Sequence, residues 1–175
     1  MKRLSPIVLV SLLTLLFSCV ERDRFSDQAF ISAYKPVLMD RESLERSIKW
    51  EAPAEIKSPA KIYYKDNYIL ISERYKGIHV VDNTDPKNPV IKGYISVPGC
   101  VDMSIKESIL YVDNAVDLVA IDLSKIAAGQ IEVKKRIKET FPDLVPPDGV
   151  SVPYRYTKGN RPQNSVIVNW VKIKS

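Results

Sequence analysis

Lys65-Asp66-Asn67-Tyr68-Ile69-Leu70-Ile71 is the stretch that decides the fold. Its turn pair, Asp66-Asn67, stands between Ile62-Tyr63-Tyr64 and a run of Tyr and Ile. Those side chains suit a pleated, half-buried surface, and Asp-Asn suits a tight turn. Gly77-Ile78-His79-Val80-Val81-Asp82 follows, then Asn83 to Pro89, whose prolines forbid a continuing central strand. Val90 to Val97 reads as a further strand, halted at Pro98-Gly99. The pattern then recurs. Lys65 to Ile71 matches Lys106-Glu107-Ser108-Ile109-Leu110-Tyr111-Val112 at an offset of 41. Ile78 to Asp82 matches Leu118-Val119-Ala120-Ile121-Asp122 at an offset of 40, so a one-residue gap falls in the turn between. Short strands in units of roughly 40 residues are spaced like propeller blades. One such sheet leaves its faces bare until a neighbour stacks on it.

Outward from the repeat, Tyr34 to Met39 is short and apolar, a strand. Asp40 can cap a helical turn over Asp40 to Arg46, with acidic residues near its positive end. Ile48-Lys49-Trp50 alternates again. Phe141 to Pro162 carries five prolines and reads as a loop. Val166 to Val171 then opens a third unit. That strand is apolar, β-branched and proline-free, so an open edge there would aggregate. It is expected to pair with Tyr34–Met39; the alternative is self-association through this C-terminal strand with a second copy. The fold class expected is all-β: a propeller-like array of short antiparallel sheets, about three blade-like units. That is fewer than the four to eight blades of closed propellers.

The N-terminus gives location. Met1-Lys2-Arg3 is basic, Ile7 to Phe17 is apolar but for Ser11 and Thr14, and Ser18-Cys19 follows. A charged start, an apolar core about half the length of a membrane span and a small residue mark a secretory signal. Cys19 after Ser18 resembles the bacterial lipobox, which implies cleavage between Ser18 and Cys19 and lipid on Cys19. The organisation expected is a lipoprotein signal peptide over 1–18, a lipid-anchored tether over 19–33, and a β-repeat domain over 34–175. The tether would reach about 20 Å. Val20 supplies no acidic retention signal, which favours the outer membrane, on its periplasmic or surface face. Removing 1–18 takes Lys2 and Arg3 and no acid from 26 basic and 21 acidic residues, so the charge falls from +5 to +3. Neither that charge nor export favours nucleic acid.

The pentads Ile78–Asp82 and Leu118–Asp122, with Tyr34 to Glu45, Gly77 to Pro89, Pro98-Gly99 and Leu110 to Asp122, resemble the LVIVD-repeat lipoproteins of Bacteroidetes. The resemblance covers most of the mature chain. It implies a β-propeller at the cell surface, and it brings no catalytic residues.

The remaining residues point away from catalysis. GxSxG, Walker, HExxH and CxxC motifs are absent. His79 is the only histidine, so His-rich zinc sites are excluded. It should face away from Ile78 and Val80 and pack at a surface or interface. Asp113, Asn114, Asp117 and Asp122 lack the ligand spacing of a calcium loop and are read as turn residues, as is Asp82. Cys100 is read as a small, half-buried residue in a turn. Glu73-Arg74-Tyr75-Lys76 and Asn114-Ala115-Val116-Asp117 are equivalent inter-strand loops, where ligands often bind. Glu73, Arg74 and Asp113 are the expected polar binding rim. Arg155, Lys158 and Arg161, beside Tyr154 and Tyr156, form a basic loop read as solvated charge. No catalytic residue, metal or cofactor is expected. The function expected is a binding module for a protein or glycan, not an enzyme. The alternatives are a propeller-scaffold carbohydrate lyase or hydrolase, and a truncated piece of a longer repeat protein.

Overall fold

A computed structural model describes residues 31–174. The expected signal peptide, the expected Ser18–Cys19 cut with lipid on Cys19, and most of the expected tether lie outside the described residues. The fold is all-β, built of small antiparallel sheets not closed into a barrel. Sheet I holds β2 (Lys49–Glu51), β3 (Pro59–Lys65), β4 (Tyr68–Glu73), β5 (Gly77–Asp82) and β6 (Val90–Ser96) in the order β2-β6-β5-β4-β3. Sheet II holds β7 (Met103–Lys106), β8 (Ile109–Asn114), β9 (Asp117–Asp122) and β10 (Glu132–Ile137) in the order β10-β9-β8-β7. Sheet III joins β1 (Tyr34–Asp40) to β11 (Ser165–Lys172). Among the described residues no helix is long and apolar enough to cross a membrane.

The repeat is exact down to its hydrogen bonds at the strand ends. Asp66 and Glu107 open equivalent two-residue turns at φ 53° and 56°. Asn83 N donates to Asn67 O, and Leu123 N to Ser108 O. Asp82 Oδ1 accepts from Thr84 N, and Asp122 Oδ1 from Ser124 N, the turn roles expected of both. The one-residue gap lies in the hairpin loops: Arg74–Lys76 joins β4 to β5, while Ala115–Val116 alone joins β8 to β9.

Two expectations change in detail. The repeat spans two sheets, one five-stranded and one four-stranded; the third sheet has only two strands, one from each end of the described chain, and is not a full unit. That sheet contains the expected pairing, since Met39 faces Val166 and Pro36 faces Trp170 in antiparallel register. β10 is not legible in the sequence because Glu132-Val133-Lys134-Lys135-Arg136 is mostly charged and exposed. It is an edge strand, where lysines discourage further pairing.

Sheet I packs on sheet II. Leu70, Ile78, Val80 and Ile95 meet Met103, Leu110, Val112, Val119 and Ile121 in one core. Gly93 makes room for the Trp50 ring; a Cβ there would lie 2.1 Å from it. A second cluster joins Leu44, Val166 and Val168 to Ala115 and Val116 in the β8–β9 turn. Leu44 belongs to α1 (Arg41–Glu45), whose Asp40 cap accepts from Ser43 N at 2.9 Å, as the sequence suggests.

Candidate functional site

The expected rim of Glu73, Arg74 and Asp113 does not assemble. Glu73 is buried. Its carboxylate accepts from Lys57 N at 3.0 Å, Ser58 N at 3.1 Å and Lys76 Nζ at 3.2 Å, and meets His79 Nε2 at 3.2 Å. Burial opposes the charge, yet these donors hold the carboxyl down at about 2. Glu73 therefore pins the Lys57–Ser58 segment over sheet I and is not offered to a ligand. His79 does face away from Ile78 and Val80, but it is buried rather than at a surface. Its ring stacks at a tilt on Tyr94, with 4.8 Å between centroids. Neighbouring segments cover both faces of β5 here, which a lone strand cannot reveal. Arg74 is exposed and its backbone N–H donates to Ser58 O.

Asp113 is the one rim residue beside a cavity. It is part-buried, and its carboxylate accepts from Val101 N (3.0 Å) and Asp102 N (2.8 Å). Burial raises its pKa, with the nearby charge of Asp102 acting the same way. It stands in the wall of a groove of about 570 Å³. Tyr63 of β3, Tyr75 of the β4–β5 loop, Tyr111 and Leu118 of sheet II, and the Phe141–Val145 segment line it too, as do Asp102, whose Oδ1 accepts from Met103 N, and Ser104. That segment is fixed at three points. Phe141 N donates to Val116 O, Arg161 forks onto Asp143, and Trp170 Nε1 donates to Leu144 O at 3.1 Å. The fork corrects the reading of Arg161 as solvated: it is buried, while Lys158 pairs with Glu139 and Arg155 lies over the Tyr156 ring.

The groove has apolar walls and few free polar atoms. Asp113 is saturated by backbone donors, and Asp143 by Arg161. Chemically it can bury aromatic or aliphatic groups and offer tyrosine hydroxyls at its edge. A neighbouring cavity of about 730 Å³ is larger but differently built. Its cations Arg41, Lys138, Lys158 and Arg161 are each matched by a carboxylate: Asp117, Glu45, Glu139 and Asp143. Such a lining is mutually neutralised before any ligand arrives.

Two residues expected to be turn residues, Asp117 and Cys100, are more deeply buried than the sequence suggests. Asp117 is fully buried; Arg41 Nη2 reaches both its oxygens (2.8 and 2.7 Å), and Arg136 Nη1 reaches Oδ2 at 2.8 Å. Burial opposes its ionisation, but the two guanidiniums and Glu139 N keep its pKa low. Cys100 is wholly buried in its turn, and burial with the charges of Asp113 and Asp102 pushes its thiol well above the usual range. Such a thiol is a poor nucleophile. Among the described residues no group of three or more His, Cys, Asp or Glu is placed to hold a metal ion. Compared with family models, curated proteins and solved structures, the chain matches none.

Proposed function

We propose that this chain is a non-catalytic binding module of the bacterial cell envelope, an LVIVD-type repeat protein with propeller-like stacking of its sheets. Lipid on Cys19 holds it at the outer membrane, and the tether sets the β domain clear of the surface. The groove beside Tyr111 receives an apolar segment of a protein partner. The apolar groove carries this reading. Sugar recognition calls for several unsatisfied polar groups, whereas here the carboxylates are already bonded within the chain. Protein hot spots instead favour aromatic pockets of this kind. The repeat spacing and the packing of sheet I on sheet II support the propeller-like stacking.

A photo-reactive side chain placed at Tyr111, which is 37% exposed, tests the binding role in intact cells. A discrete protein adduct is expected; none under conditions where the chain is abundant would end the reading. The anchor is tested separately. Cys19→Ala is expected to abolish fatty-acid labelling and release the chain, since multiple acyl chains are what make anchoring durable.

A further inference from the structure

The register of sheet III sorts its residues onto two faces, because directly opposed residues in an antiparallel pair share one. One face carries the buried Trp170 and Ile167, opposite Pro36 and Leu38. On the other, Met39 and Val166 join the cluster of Leu44 and the β8–β9 turn. Away from that cluster the second face continues with Val37 opposite Asn169 and Lys35 opposite Val171. It ends at Ile173, whose N–H donates to Ala33 O at 2.9 Å. This outer part is open. Val37 is 38% exposed, Val171 37% and Ile173 44%, and Lys35 stands exposed among them.

Charge is the first sign of what meets this patch. Lys35 lies within it, and Lys172 and Lys174 flank it at the same end of the sheet, all three exposed. Among the described residues the lysines paired with carboxylates are others. The path of the chain is the second sign. Asp148 accepts from Ser32 Oγ at 3.0 Å and Ala33 N at 2.9 Å, which fixes the point where the chain leaves the domain. Ile31 follows at 84% exposure, and residues 20–30 alone separate it from Cys19. The tether therefore joins the domain at the edge of this patch.

We infer that the outer face of sheet III docks on an anionic lipid surface, with its aliphatic side chains at the headgroup level and its lysines on the phosphates. This rests on the reading of Cys19 as the lipid anchor. The tether has slack, so docking is reversible: the domain either lies on the bilayer through this face or stands clear of it. A lysine near an anionic surface favours contact about fivefold, and three together by on the order of a hundredfold. The aliphatic groups add a contribution that salt does not screen. A few aliphatic side chains interleaved with lysine suit a headgroup layer better than the core of a protein interface, where lysine is depleted.

The test uses the full lipid-modified chain in vesicles of brominated phosphatidylcholine, with or without an equal part of phosphatidylglycerol. A fluorophore quenched by brominated lipid is attached at Val171→Cys or, as reference, at Val90→Cys on sheet I, which is 59% exposed. Cys100 is buried and takes no label. With phosphatidylglycerol present, the Val171 position is expected to be quenched at least threefold more than the Val90 position. Omitting that lipid, or adding high salt, should bring it down to the reference, because both remove the attraction on the lysines. Lys35→Gln with Lys172→Gln and Lys174→Gln should do the same, while far-UV circular dichroism and flotation with the vesicles stay those of the parent. Equal quenching at the two positions would overturn the docking. So would quenching at Val171 that ignores phosphatidylglycerol, salt and the lysine substitutions. A same-chain adduct of doubled mass from Val171→Cys and a thiol cross-linker, in place of quenching, would give the face to a second copy. Each of these results leaves the anchor standing as long as the chain carries fatty-acid label and floats with the vesicles. A chain that does neither would end the anchor and the docking together.

Discussion

At the scale of single residues, the most consequential group is Glu73. Sequence places it in a loop between strands, where a carboxylate normally meets water. The fold instead buries it and supplies four donors. Its folded pKa, near 2, lies below the usual carboxylate value of 4.5. The linkage follows. Its contribution is fully present above about pH 4.5 and fades as pH falls toward 2, because protonation is then easier in the unfolded chain. Glu73→Gln should cost about 2 kcal/mol at pH 7 and flatten the acid limb of stability between those values. Urea titrations from pH 7 down to pH 2.5 measure this; an unchanged acid limb would show that Glu73 is not the group responsible. The environment of His79 was equally hidden. Alternation told which face it occupies, but its burial depends on Tyr94 from β6 and on Glu73.

At the scale of elements, the turns were the most legible part. Asp66-Asn67 and Glu107-Ser108 were identifiable as equivalents because local hydrogen bonding sets their shape. They are not equally good. Glu107 sits at φ 56°, a left-handed conformation that a Cβ with a long side chain tolerates poorly. Glu107→Asn should stabilise the chain by on the order of 0.5 kcal/mol, read as an upward shift in thermal midpoint. The same change at Asp66, already a good αL residue, should move it far less. The pairing of β1 with β11 was inferred from what an open apolar edge would do, not from any pattern linking two segments more than 120 residues apart. Amides of Val166 to Trp170 that bond to β1 should exchange slowly in the monomer, on the timescale of the core strands. Exchange as fast as in the Pro-rich loop would remove sheet III from the folded state.

At the scale of the whole molecule, Asp117 ties three distant parts together. Arg41 brings α1, Arg136 brings β10, and Glu139 brings the start of the long loop. Removing the carboxylate leaves two largely buried guanidiniums facing each other. Asp117→Ala should therefore cost about 3–5 kcal/mol, the cost of breaking a buried pair from one side. Loss of exchange protection in β1 and β11 ahead of sheet I would mark the damage as local to this junction. Uniform loss would mean that the molecule unfolds as one unit. None of this network could be read beforehand. Asp117 looked like a turn residue because its nearest sequence neighbours are turn residues.

The sequence by itself determined the class of structure: strands, turns, a repeat near 40 residues, and the residue at which the repeat slips. These rest on local rules, since a strand's alternation and a turn's φ preferences involve only adjacent residues. It also limited the chemistry on offer, with one histidine and two cysteines in the chain. Only the tertiary structure decided which polar side chains were available. Glu73 and Asp113 are chemically alike and occupy neighbouring positions of the repeat, yet they end on opposite outer faces, one sealed and one beside a groove. Burial is set by whatever packs from elsewhere in the chain: Lys57–Ser58 over one, and Phe141–Val145 beside the other. That information is long-range, and no window of neighbouring residues contains it.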